Sequence, residues 1–416
     1  MYQRNRLNSE LSFFQKIKEI DYTLLICIIL LSIISLLVMY STDGGEVLYH
    51  TKSHFSKLLV FFPLMILIAF FNIRHWHTFG YIFYFLIILL LFYVSFFGLK
   101  ASGSQRWMDL YLFVLQPSEL MKIAVILCLA KYYHRIKIEN VNTFTSITLV
   151  LSIILVPIIL VISQPDLGTS VLIALSGLII LWLGGVKIKY FVYSIITIPI
   201  IFVISQPDLG TSVLIALSGL IILWLGGVRV KYFVYSLITF LISLPFIISF
   251  LKPYQKLRIL TFLDPDRDPL GAGYQIIQSK IAIGSGGLEG KGFLKGTQSY
   301  LDFLPEKHTD FIFTLFSEEF GFIGSVGLLI LYTIIIFRII RIGALSRSNF
   351  SKLFCFGFAF SIFIYIVVNL SMVLGLLPIV GSPLPIMSYG GSSMLATMIG
   401  FGIVLSAKIN RKQTIA

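Results

Sequence analysis

The sequence predicts an all-α polytopic membrane protein in which about twelve transmembrane helices form one bundle. Of its 416 residues, 57% are apolar and 12% are charged, and the mean hydropathy is +0.94. Apolar runs of about 20 residues recur along the chain, and each is long enough to cross a bilayer core roughly 30 Å thick. A soluble domain has no use for so much apolar surface, so soluble classes are excluded.

The apolar segments can be read as spans, and the basic residues between them predict their orientation. The polar N-terminus does not resemble a cleaved signal peptide. Lys, Arg and His cluster after every even-numbered span, which the positive-inside rule assigns to the cytoplasm. Both termini are therefore predicted to be cytoplasmic. The spans are expected near residues 22–41, 56–72, 78–98, 117–132, 143–162, 168–186, 190–204, 210–228, 231–251, 311–338, 354–377 and 391–408.

Two loops on the opposite side, about 99–116 and about 252–309, are long enough to carry chemistry. The second is rich in glycine and mixed in charge, so a site is predicted there or at its rim. The net charge of +13 does not indicate a nucleic-acid partner, because most basic residues lie in short loops that orient helices. The three cysteines are far apart in apolar segments and form no metal or redox spacing.

One segment occurs twice. SQPDLGTSVLIALSGLIILWLGGV begins at Ser163 and again at Ser205, and residues 161–197 differ from residues 203–239 at three of 37 positions. Ancient repeats diverge far more than this, and solenoid repeats occur three or more times. A recent tandem duplication is therefore indicated.

The duplicated unit is 161–202, repeated as 203–244, within a single membrane domain that comprises residues 1–416. It contributes two spans, so every later loop keeps its side of the membrane. One copy is expected to fill the native position, with the other pair of helices at the lipid-facing rim. The sequence does not decide which copy is which.

Two motifs in the large loop imitate ligand sites but lack required residues. DPDRD at 264–268 alternates carboxylates as a calcium loop does, but Pro269 replaces the required glycine. GSGGLEGKG, which includes Lys291, lacks the first glycine and the final Ser or Thr of a P-loop. The glycines are instead predicted to allow tight turns and close approach of the backbone to a ligand.

HTDFIF places Asp310 where the large loop enters an apolar span. A carboxylate at a membrane boundary is partly desolvated, which raises its pKa and makes it a usable base near neutral pH. The alternative is a carboxylate that caps or orients the following helix. The spacing alone leaves both open.

QPSELMKIAV places Glu119 and Lys122 on one face of a short span. Ionisable residues inside a membrane usually pair or face a polar cavity, so a structural ion pair and a substrate cavity are both open. Upstream, SQRWMDL places Arg106 and Trp107 in the loop near residues 99–116. An interfacial anchor is the simple interpretation of this tryptophan.

Beyond these patterns, the chain resembles the SEDS family (shape, elongation, division and sporulation) over nearly its whole length. The resemblance rests on SQRWMDL, QPSE-x-x-KIA, QPDLGTS, DPLGAGYQIIQSKIAIGSGGL-x-GKG, GTQS-x-L-x-FLPE-x-HTDFIF and PLPIMSYGGSS. GTQS and GSGGL are similar to the branch that serves rod shape. The family has ten spans, so the duplicated pair accounts for the two in excess.

The resemblance implies a SEDS-type helical bundle in the bacterial cytoplasmic membrane that acts as a peptidoglycan glycosyltransferase. Its substrate is lipid II, a disaccharide-pentapeptide on undecaprenyl pyrophosphate, and its partners are a class B penicillin-binding protein and the elongation machinery. The essential aspartate of the family matches Asp310. The resemblance also implies a substrate-binding set of Trp107, Glu119, Lys122, Glu306 and His308.

The chemistry of that reaction suggests further residues. The acceptor hydroxyl needs a base, which we assign to Asp310, while pyrophosphate is a good leaving group that reduces the need for a second carboxylic acid. Negative charge develops on the pyrophosphate and needs cations. The candidates are Arg106, Lys280, Lys291, Lys295 or a divalent ion such as Mg²⁺ or Mn²⁺.

Two other functions remain open. A transporter that flips lipid II would also need many spans and intramembrane charges, but it would keep working with Asp310 neutralised. A non-catalytic scaffold for a penicillin-binding protein would keep its partner and support cell shape after the same substitution.

Overall fold

The computed structural model describes residues 11–101, 104–110, 114–164, 166–187, 272–297, 306–377 and 381–415. Within them the chain forms a bundle of helices with one small sheet. The helices are α1 (Phe13–Glu19), α2 (Tyr22–Thr42), α3 (Tyr49–Phe70), α4 (Ile73–Phe97), α5 (Pro117–Arg135), α6 (Phe144–Ser163), α7 (Leu167–Leu183), α8 (Ala272–Ser285), α9 (Ile312–Leu345), α10 (Asn349–Val373) and α11 (Gly391–Ile409).

Seven helices in the described part of the chain are long and apolar enough to cross a membrane: α2, α3, α4, α6, α9, α10 and α11. The all-α membrane class is therefore confirmed. The predicted spans near 190–204, 210–228 and 231–251, the second repeat copy and the DPDRD motif lie outside the described residues. The total of twelve spans thus stays a prediction.

Helix ends differ from the predicted span ends, because helical hydrogen bonding continues through polar turns that a hydropathy pattern omits. Helix α3 begins at Tyr49, whereas the apolar run begins near 56. Helix α4 begins at Ile73, where the Asn72 side chain accepts a hydrogen bond from Arg74 N–H at 3.0 Å.

Helix α5 lies at the centre of the bundle and packs against α4, α7, α10 and α11. All residues from Pro117 to Lys131 are buried, the ionisable ones included. Around it, α11 packs against α3, and α9 packs against α10 and α2. Because α5 has protein on every side, its polar side chains must find partners within the protein.

The first repeat copy supplies α7, which packs against α5, α6 and α10. The packing is close: a Cβ at Gly177 would lie 2.7 Å from the Ile154 side chain, and a Cβ at Gly184 would lie 2.7 Å from the Tyr133 ring. Small residues of this kind let membrane helices approach one another. Residues 166–183 of the first copy therefore occupy a core position of the bundle.

A small antiparallel sheet lies in the segment predicted as a loop near 99–116. Its strands are β1 (Leu99–Ala101), β2 (Ser104–Asp109) and β3 (Val114–Leu115), in the order β1-β2-β3. Leu99 pairs with Trp107, and Met108 pairs with Leu115. The sequence predicted only a loop here, because strands this short carry too few residues for a recognisable period of two.

The glycine-rich segment after α8 packs into a break in α9. Gly321 has φ +63° and interrupts the helix, and Gly290 has φ +85° and lies against it. A Cβ on either glycine would clash with the other segment's backbone. The close approach predicted for a ligand is therefore an approach to the protein's own backbone.

Backbone hydrogen bonds close this break. Lys291 N–H donates to Glu318 C=O and Gly292 N–H donates to Glu319 C=O, both at 3.0 Å. In return, Phe322 N–H donates to Gly287 C=O at 2.9 Å, and Ile323 N–H donates to Leu288 C=O at 3.1 Å. The loop thus satisfies groups that a continuous helix would pair internally.

Candidate active site

Asp310 lies in the turn that precedes α9, and neighbouring segments fix the backbone of this turn. The Asn369 side-chain amide, on α10, donates to Asp310 C=O at 2.9 Å and to Ser382 C=O at 2.7 Å. The Ser388 hydroxyl donates to Thr309 C=O at 2.6 Å. The residue is therefore positioned by α10 and by the segment before α11, as the predicted base requires.

The Asp310 carboxylate lies in a recess and keeps some solvent contact. The pKa of this carboxyl is raised to about 7: burial is the main cause, the Glu306 carboxylate adds to the rise, and the Arg106 guanidinium opposes both. Across the described ranges, no hydrogen bond or ion pair is recorded for the carboxylate oxygens. A Cβ at Gly381 would lie 3.5 Å from Asp310 Oδ2, so a glycine keeps this side of the recess open.

Glu119 and Lys122 form a buried ion pair near the start of α5. Lys122 Nζ donates to Glu119 Oε2 at 2.8 Å, and both side chains are about 5% exposed or less. The Tyr365 hydroxyl, on α10, donates to Glu119 Oε2 at 3.2 Å, and the ammonium lies 4.1 Å from the centre of the tyrosine ring. The predicted proximity is confirmed, while a role in substrate binding stays a prediction.

Asp166, in the first repeat copy, connects α7 to α5 and to β2. Its carboxylate accepts hydrogen bonds from the Gln116 amide and, at 3.2 Å, from the Ser118 hydroxyl, and Arg106 lies 3.4 Å away. It also caps α7. Asp166 was not among the predicted site residues, although an aspartate directly before an apolar run is a helix-start signal.

Arg106 and Trp107 lie on β2, and the guanidinium carbon lies 4.7 Å from the centre of the indole ring. Besides the adjacent indole, Arg106 therefore interacts with two groups that are distant in sequence: the Asp166 carboxylate and, through its charge, Asp310. The structure thus brings the predicted Arg106 and Asp310 to one site.

The predicted lysines of the large loop have different surroundings. Lys291 Nζ donates to Glu318 Oε1 at 2.6 Å and to the Thr297 hydroxyl at 2.8 Å, so its charge is paired with a carboxylate of α9. Lys280 and Lys295 are exposed, on α8 and beside Gly292 respectively. No ion pair is recorded for either of them within the described part of the chain.

The remaining predicted residues lie in the turn before α9. Exposed Glu306 starts the turn: its C=O accepts from Phe311 N–H at 3.2 Å, and its carboxylate accepts from the Thr309 hydroxyl at 2.8 Å. The His308 ring stacks on the His50 ring, with centroids 3.8 Å apart. Both residues are thus near Asp310 in the chain, and Glu306 also acts on it electrostatically.

Comparison with known proteins identifies relatives along nearly the whole chain. The family model described as cell cycle protein, which comprises FtsW, RodA and SpoVE, matches residues 21–204 and 192–413. The two matches meet inside the duplicated region. The peptidoglycan glycosyltransferase MrdB of Escherichia coli (strain K12) is 39% identical over 402 residues, which covers 96% of each chain. Peptidoglycan glycosyltransferase RodA of Treponema pallidum is 32% identical and covers 95% of this chain and 99% of its own.

Solved structures are similar as well. One is described under the structural coordination of polymerization and crosslinking by a peptidoglycan synthase complex. It has a TM-score of 0.71 and 29% identity, and the match covers 94% of this chain and 98% of that one. The rod shape determining protein RodA of Thermus thermophilus has a TM-score of 0.63 at 24% identity, over 95% and 98% of the two chains. The latter match supports the fold alone.

Proposed function

We propose that this chain, which belongs to the cell cycle protein family of FtsW, RodA and SpoVE, is a peptidoglycan glycosyltransferase that polymerises lipid II for cell elongation. Its relatives in Escherichia coli and Treponema pallidum carry that activity in their names. The observation that carries the proposal is Asp310, a carboxylate in a recess at the start of an apolar helix, held by its backbone and beside the charge of Arg106.

In the proposed reaction, Asp310 accepts the proton of the acceptor's 4-hydroxyl. That oxygen attacks the anomeric carbon of the donor, a glycosidic bond forms, and the bond to undecaprenyl pyrophosphate breaks. A positioned base of this kind contributes roughly 10²–10⁴ in rate. The leaving group departs as a stabilised dianion or trianion, so the site needs positive charge more than a second acid.

Positive charge for the pyrophosphate is proposed to come from Arg106 and from exposed Lys280 and Lys295, with a divalent cation as a further candidate. Lys291 is a weaker candidate, because it already pairs with Glu318. Trp107, Glu306 and His308 are proposed to contact lipid II. Glu119 and Lys122 are proposed to act mainly through the fold, since they are buried and bonded to each other.

The protein is an integral membrane protein, and we place it in the bacterial inner membrane with both termini in the cytoplasm. The Asp310 recess then opens on the extracytoplasmic side, where lipid II is polymerised. A class B penicillin-binding protein is the proposed partner, because a relative of 29% identity belongs to a synthase complex that polymerises and crosslinks peptidoglycan.

The experiment is polymerisation of lipid II in detergent by this chain fused to its cognate class B penicillin-binding protein. We expect long glycan strands from the wild type and none from Asp310→Ala. Strands from both proteins would reject Asp310 as the base. Absence of strands from the wild type, together with normal lipid II flipping in vesicles, would favour a transporter.

The same fusion tests the duplication. A variant lacking residues 203–244 retains the first repeat copy, whose α7 is packed in the core. We expect it to polymerise as well as the full chain. Polymerisation by the deletion variant alone would mean that the duplicated pair inactivates the full-length protein.

A further inference from the structure

Three side chains that typically bind metal ions meet at one end of the bundle, although they come from three separate segments. Asp43 directly follows α2, His50 lies in the first turn of α3, and His308 lies in the turn before α9. Asp43 Oδ1 lies 3.2 Å from His50 Nδ1, and the two imidazole rings stack at 3.8 Å with an interplanar angle of 16°. One potential ligand atom from each residue lies within 4.8 Å of the other two.

Neighbouring groups already orient these side chains. Thr51 donates to Asp43 Oδ2 with its backbone N–H at 2.9 Å and with its hydroxyl at 2.7 Å, which turns Oδ1 towards His50. Tyr389 N–H donates to His308 C=O at 2.8 Å, and the tyrosine ring packs edge-on against His50 at 5.2 Å. Metal sites characteristically have such outer partners, which fix the ligands before the ion arrives.

We propose that Asp43, His50 and His308 form a binding site for a divalent ion of the zinc class. Two imidazole nitrogens and one carboxylate oxygen are a donor set that suits Zn²⁺, with water as the fourth ligand. Mg²⁺ prefers oxygen donors, so the two histidines favour zinc over Mg²⁺ at this site.

The observed spacing is close to what such an ion needs. Ligand atoms about 2.0–2.2 Å from a tetrahedral zinc are roughly 3.3 Å from one another. The Asp43–His50 pair, at 3.2 Å, already has this separation. A contraction of about 1.5 Å or less, from the limit of 4.8 Å, together with rotation of the His308 ring out of its stack on His50, brings His308 into the same sphere.

The ion would connect the α2–α3 turn to the segment that carries Asp310. His308 is two residues before Asp310, and the backbone of this segment is otherwise held from α10 and from the segment before α11. Zinc would add a third support, from the α2–α3 turn. This role is structural, and it does not depend on which reaction the recess catalyses.

The test uses the full-length protein in detergent, stripped of metal and titrated with Zn²⁺ against a chromogenic chelator. We expect one Zn²⁺ per wild-type chain, and binding at least about 10-fold weaker in His50→Gln and Asp43→Asn. His75→Gln is the matched control, because His75 is exposed at the start of α4 and outside the cluster, and its binding should equal that of the wild type. Millimolar Mg²⁺ should not displace the zinc.

Equal zinc binding by wild type, His50→Gln and Asp43→Asn would overturn the proposal, as would a wild type that binds no stoichiometric zinc. Displacement by Mg²⁺ would overturn the assigned class of ion. If a ligand variant fails to fold, Thr51→Val tests the proposal instead. Loss of the Thr51 hydroxyl should weaken zinc binding by about 10–100-fold without removing a ligand. No lipid II is used, so the result is independent of the polymerisation assay.

Discussion

Glu119 and Asp310 are both carboxylates near the start of a helix in the bundle, but their surroundings differ. Glu119 is buried, paired with Lys122 at 2.8 Å and bonded to the Tyr365 hydroxyl. Asp310 has its backbone carbonyl bonded to Asn369, while burial and Glu306 raise the pKa of its carboxyl to about 7. The protein thus neutralises one carboxylate with permanent partners and positions the other through its main chain.

These surroundings suit Glu119 to a structural role and Asp310 to proton transfer. A buried charge whose partners are all within the protein has little capacity left for a substrate, and its loss exposes the partner charge. A carboxylate that is fixed through its backbone can exchange a proton without breaking the structure around it. We therefore expect substitutions at the two positions to affect different measurements.

The largest effect is expected at Asp310. Asp310→Asn keeps the size of the side chain but removes the base, so polymerisation should fall by roughly 10²–10⁴-fold. The thermal unfolding midpoint in detergent should change little. Glu289→Gln, at an exposed position of the same large loop, is the matched control and should keep full activity. A large loss of thermal stability in Asp310→Asn would contradict the expected difference between Asp310 and Glu119.

Glu119→Gln should show the opposite pattern. It leaves the Lys122 ammonium buried without its carboxylate, which destabilises by about 3–5 kcal/mol. Reversible denaturation in mixed micelles measures this change. The double variant Glu119→Gln, Lys122→Met should recover part of the loss, because no charge then remains uncompensated. If Glu119→Gln were as stable as the wild type yet inactive, Glu119 would belong with Asp310.

Asp166 offers a further test, because the second repeat copy contains an equivalent aspartate, Asp208, that serves as a control. Asp166→Asn weakens the contacts with Arg106, Gln116 and Ser118, and should cost about 1–3 kcal/mol of stability. Asp208→Asn makes the same change at the equivalent position of the second copy and should have no such effect. Equal effects on the unfolding midpoint would mean that both copies use their aspartates alike, contrary to a single core position.

The smallest effect is expected for Tyr365→Phe. It removes one hydrogen bond to Glu119 while the ring stays beside the Lys122 ammonium, so stability should fall by about 1 kcal/mol. The denaturation midpoint of this variant measures the loss. The control is Tyr332→Phe, which removes one hydrogen bond to Pro385 C=O, away from the Glu119–Lys122 pair. A much larger loss at Tyr365 would mean that the hydroxyl is essential to the ion pair.

The sequence predicts the parts of this molecule that depend on local patterns. Apolar runs correctly predicted the helical membrane class, and a charge at a loop-to-span boundary led to the hypothesis that Asp310 is the base. The spacing of Glu119 and Lys122 along one helix face correctly predicted their proximity. Each of these inferences needs only residues that are neighbours in the chain.

Features that depend on distant partners were missed. Asp166 binds groups that precede it by about 50 residues or more, so its position in QPDLGTS gave no sign of them. The glycines of the large loop were predicted to allow close approach to a ligand, whereas the observed partner of Gly290 is the break at Gly321, in another element. Tertiary contacts of this kind leave no periodic pattern in a single sequence.

The break in α9 also has a consequence for how the protein is made. Residues 286–292 are translated before α9, so they can pack against Gly321 only once that helix has been made. Until that packing forms, the nascent α9 can enter the lipid as a continuous helix, with Phe322 and Ile323 bonded to Glu318 and Glu319 in the ordinary way. The break would form afterwards, when the loop arrives and supplies four hydrogen bonds in place of two. The packing of the large loop against α9 would then be completed only after membrane insertion.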